Sequence, residues 1–263
     1  MNTEYYILNP SGNVTALVTS KTPKSDYKTA AAGIFENNPE VEQVGFVKFR
    51  DGGVKLNMSG DEFCGNAAMS AAALYYSLSG AADALSIPVT VLPYGNTVNV
   101  TVNKSGGAYV CEGIFKGPDT VKKYSFRVGG REYTFPLVCF EGIMHIVADG
   151  ALSAPLAEKV IRESAADLKA PALGIMIFDR RNCSLTPIVY VSAVNTLFCE
   201  NSCASGCCAV ASVLSEFGKT TDIVQKGGII AARRVNGGIY LKTNVRIERK
   251  CEKEKDYAEK NGF

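Results

Sequence analysis

The feature that most constrains this chain is a plan stated twice. In each half, short strand-like segments lead to a cysteine that stands directly before a run of small residues and a helix-forming stretch. The first segment reads Asp61-Glu62-Phe63-Cys64-Gly65-Asn66-Ala67-Ala68-Met69, and the second Glu200-Asn201-Ser202-Cys203-Ala204-Ser205-Gly206-Cys207. Their surroundings match as well. Before Cys64 come an extended run from Tyr5 to Leu8, a polar turn from Asn9 to Asn13 and a helix predicted over Ser25 to Asn37. Alternating strands then cover Gln43–Phe49 and Val54–Met58 around Asp51-Gly52-Gly53. Before Cys203 come a strand from Ile143 to Ala148, a helix after Ser153 and Pro155 to about Leu168, and strands over Leu173–Phe178 and Pro187–Val191. Glycine turns at Gly129-Gly130, Gly227-Gly228 and Gly237-Gly238 punctuate the second half, and Gly117-Pro118-Asp119 marks a boundary. Two α+β halves, 1–118 and 119–263, the last residues of the second being free to pack on the first, imply an internal duplication whose interface is the natural cleft.

The chemistry expected at that cleft follows from where the cysteines stand. The first N–H groups of a helix lack internal partners and the helix dipole is positive there, so such an end attracts an anion. A thiol in the same place is expected to shift toward thiolate. Two such ends facing one cleft would hold an amino-acid α-carboxylate and stabilise charge that develops when the α-proton leaves. One thiolate can take that proton from one face while the opposite thiol supplies another, which inverts the centre. Each segment alone also reads as a buried, inert cysteine on a core helix; the pairing, one per half, favours chemistry.

These residues resemble the diaminopimelate epimerase fold family of PLP-independent racemases, which places Cys-Gly-Asn in one half and Cys-Gly-Ser/Thr-Gly in the other. The resemblance spans essentially the whole chain. Asn9 to Asn13 stands for the family's Gly-Asn turn, Glu42-Gln43-Val44 for its Asp-Gln-Val, and Asn57 for its pre-cysteine asparagine. His145 matches the histidine of a Gly-Asn-Pro-His signature, and Gln225 to Gly228 resembles a Pro-Gly-Gly turn. A closer resemblance is to one branch, the histidine racemases that feed opine metallophore synthesis. Strings like that branch's occur in order at Asn9–Asn13, Glu42–Phe46, Met58–Ala67 and Glu200–Gly206.

The resemblance implies two pseudo-symmetric lobes, each a curved, mostly antiparallel sheet around a central helix, with Cys64 and Cys203 as the acid/base pair. By family position it implies substrate contacts from Asn13, Glu42, Gln43, Asn57, Gly65, Asn66, His145, Glu200, Asn201, Ala204 and Ser205. It implies no cofactor and no metal. Two departures matter. Diaminopimelate epimerases carry a Glu-Arg pair ahead of the second cysteine for the distal carboxylate, yet no arginine or lysine lies between Asn195 and Gly206. Ile143 also replaces the asparagine of the histidine signature. Without a bidentate partner, a second carboxylate would be left unpaired. Diaminopimelate and other amino acids remain alternative substrates on the same fold. For Glu42, a carboxylate at that position could hydrogen-bond an imidazole or orient the ammonium.

Composition narrows the classes. Net charge is +2, with no concentrated basic stretch for nucleic acid. The run Arg249, Lys250, Glu252, Lys253, Glu254, Lys255 mixes both signs and reads as a solvated tail. No segment approaches the roughly 18 apolar residues that span a bilayer. The start of the chain, with Asn9, Pro10, Gly12 and Asn13, lacks the pattern of an export signal. Nine cysteines then point to free thiols in a reducing cytoplasm. A small amino acid is the expected partner, with a homodimer allowed but not required. A cysteine-rich metal or redox protein is the competing class, because Cys199, Cys203, Cys207 and Cys208 crowd together. Only one arm of a zinc site is visible in that spacing, and core packing of Cys207 and Cys208 reads better.

Overall fold

A computed structural model describes residues 3–50, 52–150 and 152–253. The first half supplies β1 (Thr3–Pro10), β2 (Thr15–Val18), α1 (Tyr27–Asn37), β3 (Gln43–Arg50), β4 (Gly53–Met58), α2 (Gly65–Ser79), β5 (Leu85–Leu92), β6 (Asn96–Ser105) and β7 (Ala108–Phe115). The second supplies β8 (Thr120–Val128), β9 (Arg131–Phe140), β10 (Ile143–Asp149), α3 (Ala154–Asp167), β11 (Ala172–Asp179) and β12 (Ser184–Val191). It continues through β13 (Thr196–Cys199), α4 (Ala204–Leu214), β14 (Thr221–Gln225), β15 (Gly228–Val235) and β16 (Gly238–Lys253).

The duplicated plan is visible in the connections. Parallel strands need a crossover, usually a helix. In the first half α1 links the parallel pair β2 and β3, and α2 links β4 and β5. In the second, α3 links β10 and β11, and α4 with β13 links β12 and β14. All other neighbours are antiparallel, so the fold is α+β, dominated by one curved sheet.

Two helices lie inside the curvature and two outside. α2 is threaded through the first half, touching β1 to β7 and β16. Its sequence allows this: Ala67, Ala68, Ala71, Ala72 and Ala73 are all fully buried and keep the helix slim, and alanine is the best helix former. Gly80, at φ 70°, ends it in the left-handed cap. α4 occupies the matching place against β15, β16, β10 and β11. α1 covers the outer face through Tyr27, Ala31 and Ile34, and α3 covers its own through Ala157, Val160 and Ile161. Among the described residues no helix is long and apolar enough to cross a membrane.

The tail departs from its reading as a solvated segment and packs on the first half. Arg249 to Lys253 are not a loose segment but the end of β16, which pairs with β15, β7 and β1. By reaching β1 it closes β1 to β7 into a ring around α2. The mixed charges find partners on that edge: Arg249 with Glu40, and Lys250 with Glu4 at 2.8 Å. Glu254 and Lys255 lie outside the described residues, as does Asp51 of the first hairpin turn.

The halves also meet backbone to backbone. Gly12 has φ +94°, and a Cβ placed there would sit 2.2 Å from Gly227 Cα. Gly12→Ala should therefore combine a disfavoured backbone conformation with a steric overlap between two turns that cannot retreat. Urea denaturation should show a loss of roughly 3 kcal/mol or more. A change within about 0.5 kcal/mol, the level of an ordinary surface substitution, would mean that the two turns do not touch.

Candidate active site

The inner helices begin at the same place in space. Cys64 caps α2 with φ −132° and ψ 109°, and Cys203 caps α4 with φ −138° and ψ 108°. Each sulfur accepts a hydrogen bond from the N–H three residues on, Ala67 at 3.2 Å and Gly206 at 3.4 Å. This is the geometry of an Ser or Asp cap with sulfur in place of oxygen. The two starts abut: a Cβ on Gly65 would lie 2.9 Å from Ala204 Cβ, and Asn66 Nδ2 donates to Ser202 O at 2.9 Å. Small residues after each cysteine are what let the helix ends approach.

A cavity lies at this junction, lined by Cys64, Gly65, Asn66, Cys203, Ala204 and Ser205 from the helix starts, and by Glu42, Gln43, Glu62 and Glu200. Its remaining wall is mostly apolar, built from Phe35, Ile143, Val189, Val191, Val194 and Phe198. Among the described residues no lysine or arginine lines it. The cavity measures about 20 Å³, room for roughly one water.

Gln43 ties the halves together. Its Oε1 receives the Cys64 thiol at 2.7 Å and its Nε2 donates to Glu200 Oε1 at 2.9 Å. Glu200 Oε2 is buried and has no hydrogen-bond partner among the described residues. Burial, with Glu42 nearby, pushes the Glu200 carboxyl up to about 8. Burial likewise pushes Glu62 up to about 7.

The thiols differ from expectation. A helix start should lower them, but burial outweighs the cap N–H bonds and raises both Cys64 and Cys203 well above an ordinary thiol, with Glu200 adding to each rise. The closed cavity therefore holds thiols, and a thiolate needs incoming positive charge.

Four residues expected at the substrate stand behind the lining. Asn13 and Asn201 both donate to Glu42, Asn13 at 2.7 Å, so the Glu42 oxygens are committed across the junction rather than open to a ligand. Burial raises the Glu42 carboxyl while these bonds pull it back. Asn57 donates to Asp61 at 2.6 Å and borders a lysine-rich surface groove instead. His145 is fully buried, its Nε2 3.0 Å from Ser205 Oγ, which is in turn 3.5 Å from Cys203 Sγ. Burial pushes the imidazole down to about 3, so it is neutral. Cys207 and Cys208 are buried core thiols and Cys199 is exposed on β13. Among the described residues no group of three or more His, Cys, Asp or Glu is placed to hold a metal.

The sequence of residues 2–250 matches the family described as "Histidine racemase CntK N-terminal domain". The chain belongs to the histidine racemase family. It is 30% identical over 254 residues to a histidine racemase of Fusobacterium nucleatum, covering 93% of each chain. A histidine racemase of Staphylococcus aureus is 29% identical over 216 residues, covering 79% of this chain and 78% of that one. Among solved structures, a probable proline racemase from Agrobacterium radiobacter shares the fold, with a TM-score of 0.71 at 10% identity, covering 98% of this chain and 94% of that one. This member of the histidine racemase family is thus an isomerase built on the proline-racemase-like fold.

Glu62, Ser59 and the apolar wall join the lining in addition to the residues expected from the sequence. Glu62 was within reach, since it lies inside the Met58–Ala67 string. The wall was not, because Phe35, Val189 and Phe198 come from elements whose meeting is a property of the fold.

Proposed function

We propose that this chain interconverts L-histidine and D-histidine with Cys64 and Cys203 as the two acid/base groups. The observation that carries the reading is the pair of cysteine caps, alike in dihedral angles, on abutting helix ends that line one carboxyl-rich cavity. The α-carboxylate fits the first-turn N–H groups after each cysteine, which a helix leaves without internal partners. The α-ammonium fits the unpartnered oxygen of Glu200. With the cation seated, the raised thiols are pulled back down, and one ionises. That thiolate removes the α-proton while the opposite thiol donates from the other face. The N–H groups stabilise the charge that builds on the carboxylate. Atoms balance within one turnover, and the two cysteines finish with their roles exchanged.

A cavity of about 20 Å³ cannot hold histidine, so the two lobes, one around α2 and one around α4, part and reclose around it, with the stretch of β16 that pairs with β1 and β7 moving with the first lobe. The thiols must stay reduced, which suits a reducing compartment.

Incubation with L-histidine in D2O tests the reading: the α-proton NMR signal should vanish as D-histidine accumulates, indifferent to EDTA. Diaminopimelate should be turned over roughly 10^4-fold less efficiently, because its distal carboxylate finds carboxyls and no cation. Comparable kcat/KM for both would overturn the substrate assignment, and no exchange with any amino acid would overturn the activity.

A further inference from the structure

Three carboxyls line the cavity, and their bonding separates them. Both Glu42 oxygens are committed to Asn13 and Asn201. Glu200 stands beside Gln43 and next to the Cys203 thiol, so its spare oxygen faces the reacting centre. Glu62 is the one left without a task. Its Oε2 accepts the Gly60 N–H at 3.0 Å, the residue's own N–H also bonds the carboxyl, and no other side chain among the described residues does. Its position is set by the apolar wall. A Cβ on Gly60 would lie 2.5 Å from Val191 Cγ1 and 2.7 Å from Glu62 Oε2, so the carboxyl is seated against the Val191 side of the cavity.

That wall suits the substrate's side chain. Val189, Val191 and Phe198 offer faces to a flat ring; Ser59 and Thr196 put hydroxyls near them, and Glu62 puts a carboxyl there. A buried carboxyl with an open acceptor is costly unless a donor meets it. We infer that Glu62 is a specificity-determining residue, whose free oxygen accepts the ring N–H of an imidazole side chain lying against Val191. This rests on the amino-acid racemase reading above and adds the group that selects the side chain. Asp61, Cys64, Glu200 and Tyr94 are the ionisable groups around it among the described residues. None is a cation, so an N–H donor on the ligand meets no competitor there.

The test compares histidine with β-(2-thienyl)alanine, whose five-membered ring has similar shape but no N–H. Wild type should favour histidine in kcat/KM by about 100-fold or more, the discrimination available to a site built around one hydrogen bond. Glu62→Leu should bring the ratio within about 3-fold, with the loss for histidine mostly in KM. Glu62→Gln keeps an acceptor for the Gly60 N–H, so it guards against misfolding; it should weaken histidine about 10-fold and remove the Glu62 ionisation near neutrality from the kcat/KM profile. Imidazole binding, followed by NMR, gives a readout without turnover, and should be lost in Glu62→Leu and weakened in Glu62→Gln. An unchanged histidine-to-thienylalanine ratio, or unchanged imidazole binding in both variants, would overturn the assignment. Failure of wild type to turn over either amino acid would refute the racemase reading instead, and the imidazole titration would still decide the role of Glu62.

Discussion

Replacing either Cys64 or Cys203 by serine should lower racemisation in both directions by roughly 10^3-fold or more. Removing a positioned acid/base group typically forfeits 10^2- to 10^4-fold, and here one turnover uses both. Serine fits each cap, since its oxygen can accept the same N–H of Ala67 or Gly206, so the fold should survive. Its hydroxyl is a far weaker acid than a thiol. The cavity already raises the thiols through burial and Glu200, and a hydroxyl in the same place is beyond rescue by a bound ammonium. The surviving cysteine keeps its own face of the α-carbon. Each variant should therefore exchange the α-proton of one enantiomer with D2O, and the two variants should prefer opposite enantiomers. Cys208→Ala serves as a control: that thiol is buried in the core, so its loss should lower stability and leave turnover in place. If Cys64→Ser kept near wild-type racemisation, or both variants favoured the same enantiomer, the opposed-thiol arrangement would be wrong.

The duplicated plan was legible because its signals are local. A cysteine before small residues reads as a helix start, and the Gly129, Gly227 and Gly237 turns read as hairpins. That the last residues could pack on the first half was legible, but the strand pairing that closes the first ring was not. It depends on Arg249 to Lys253 pairing with β1 across the length of the chain, and a charged edge strand looks like a solvated tail when its partner is unknown. The site divides the same way. Cys64, Cys203, Gln43 and Glu200 follow from motif position, and the structure gathers them around one cavity. The orientation of the polar side chains does not follow. Asn13 and Asn201 turn to Glu42, and His145 turns to Ser205, because burial leaves each needing a partner and the neighbouring halves supply one. The thiols show the limit most clearly. A helix start lowers a thiol in solvent, but sequence carries no measure of how completely the opposite half excludes water, and burial reverses the sign.

The same excluded water gives the free protein an unusual dependence of stability on pH. Glu62 is raised to about 7 and Glu200 to about 8, whereas unfolded glutamates titrate near about 4.3. Between those limits the folded chain holds protons that the unfolded chain has lost. Stability then falls as pH rises, by about 1.4 kcal/mol per pH unit for each group. His145 works the other way. Folded, it titrates near about 3; unfolded, near about 6.5, so between these the unfolded chain holds the extra proton and stability falls as pH drops. From about pH 4.5 to 6.5 the two glutamates outweigh the one histidine. Above 6.5 His145 contributes nothing, and Glu62 and then Glu200 continue the decline to about pH 8. Beyond the ordinary thiol range the buried thiols of Cys64, Cys203, Cys207, Cys208 and Cys111 extend it, since only the unfolded chain ionises them there. Below about pH 4 the histidine term dominates, and Glu40 and Asp179, held low by Arg249 and by the Arg181 N–H, lose their favourable bonds. Denaturant titrations should therefore place the stability maximum near pH 4 to 5 instead of neutrality. Glu200→Gln should flatten the slope between pH 6.5 and 8 and gain a few kcal/mol at pH 8, while added histidine should stabilise wild type most at the alkaline end, where its ammonium meets ionised carboxyls. Stability that rises steadily from pH 5 to 8, unchanged in slope by Glu200→Gln, would mean that these carboxyls reach solvent in the free protein and that its cavity stands open before substrate arrives.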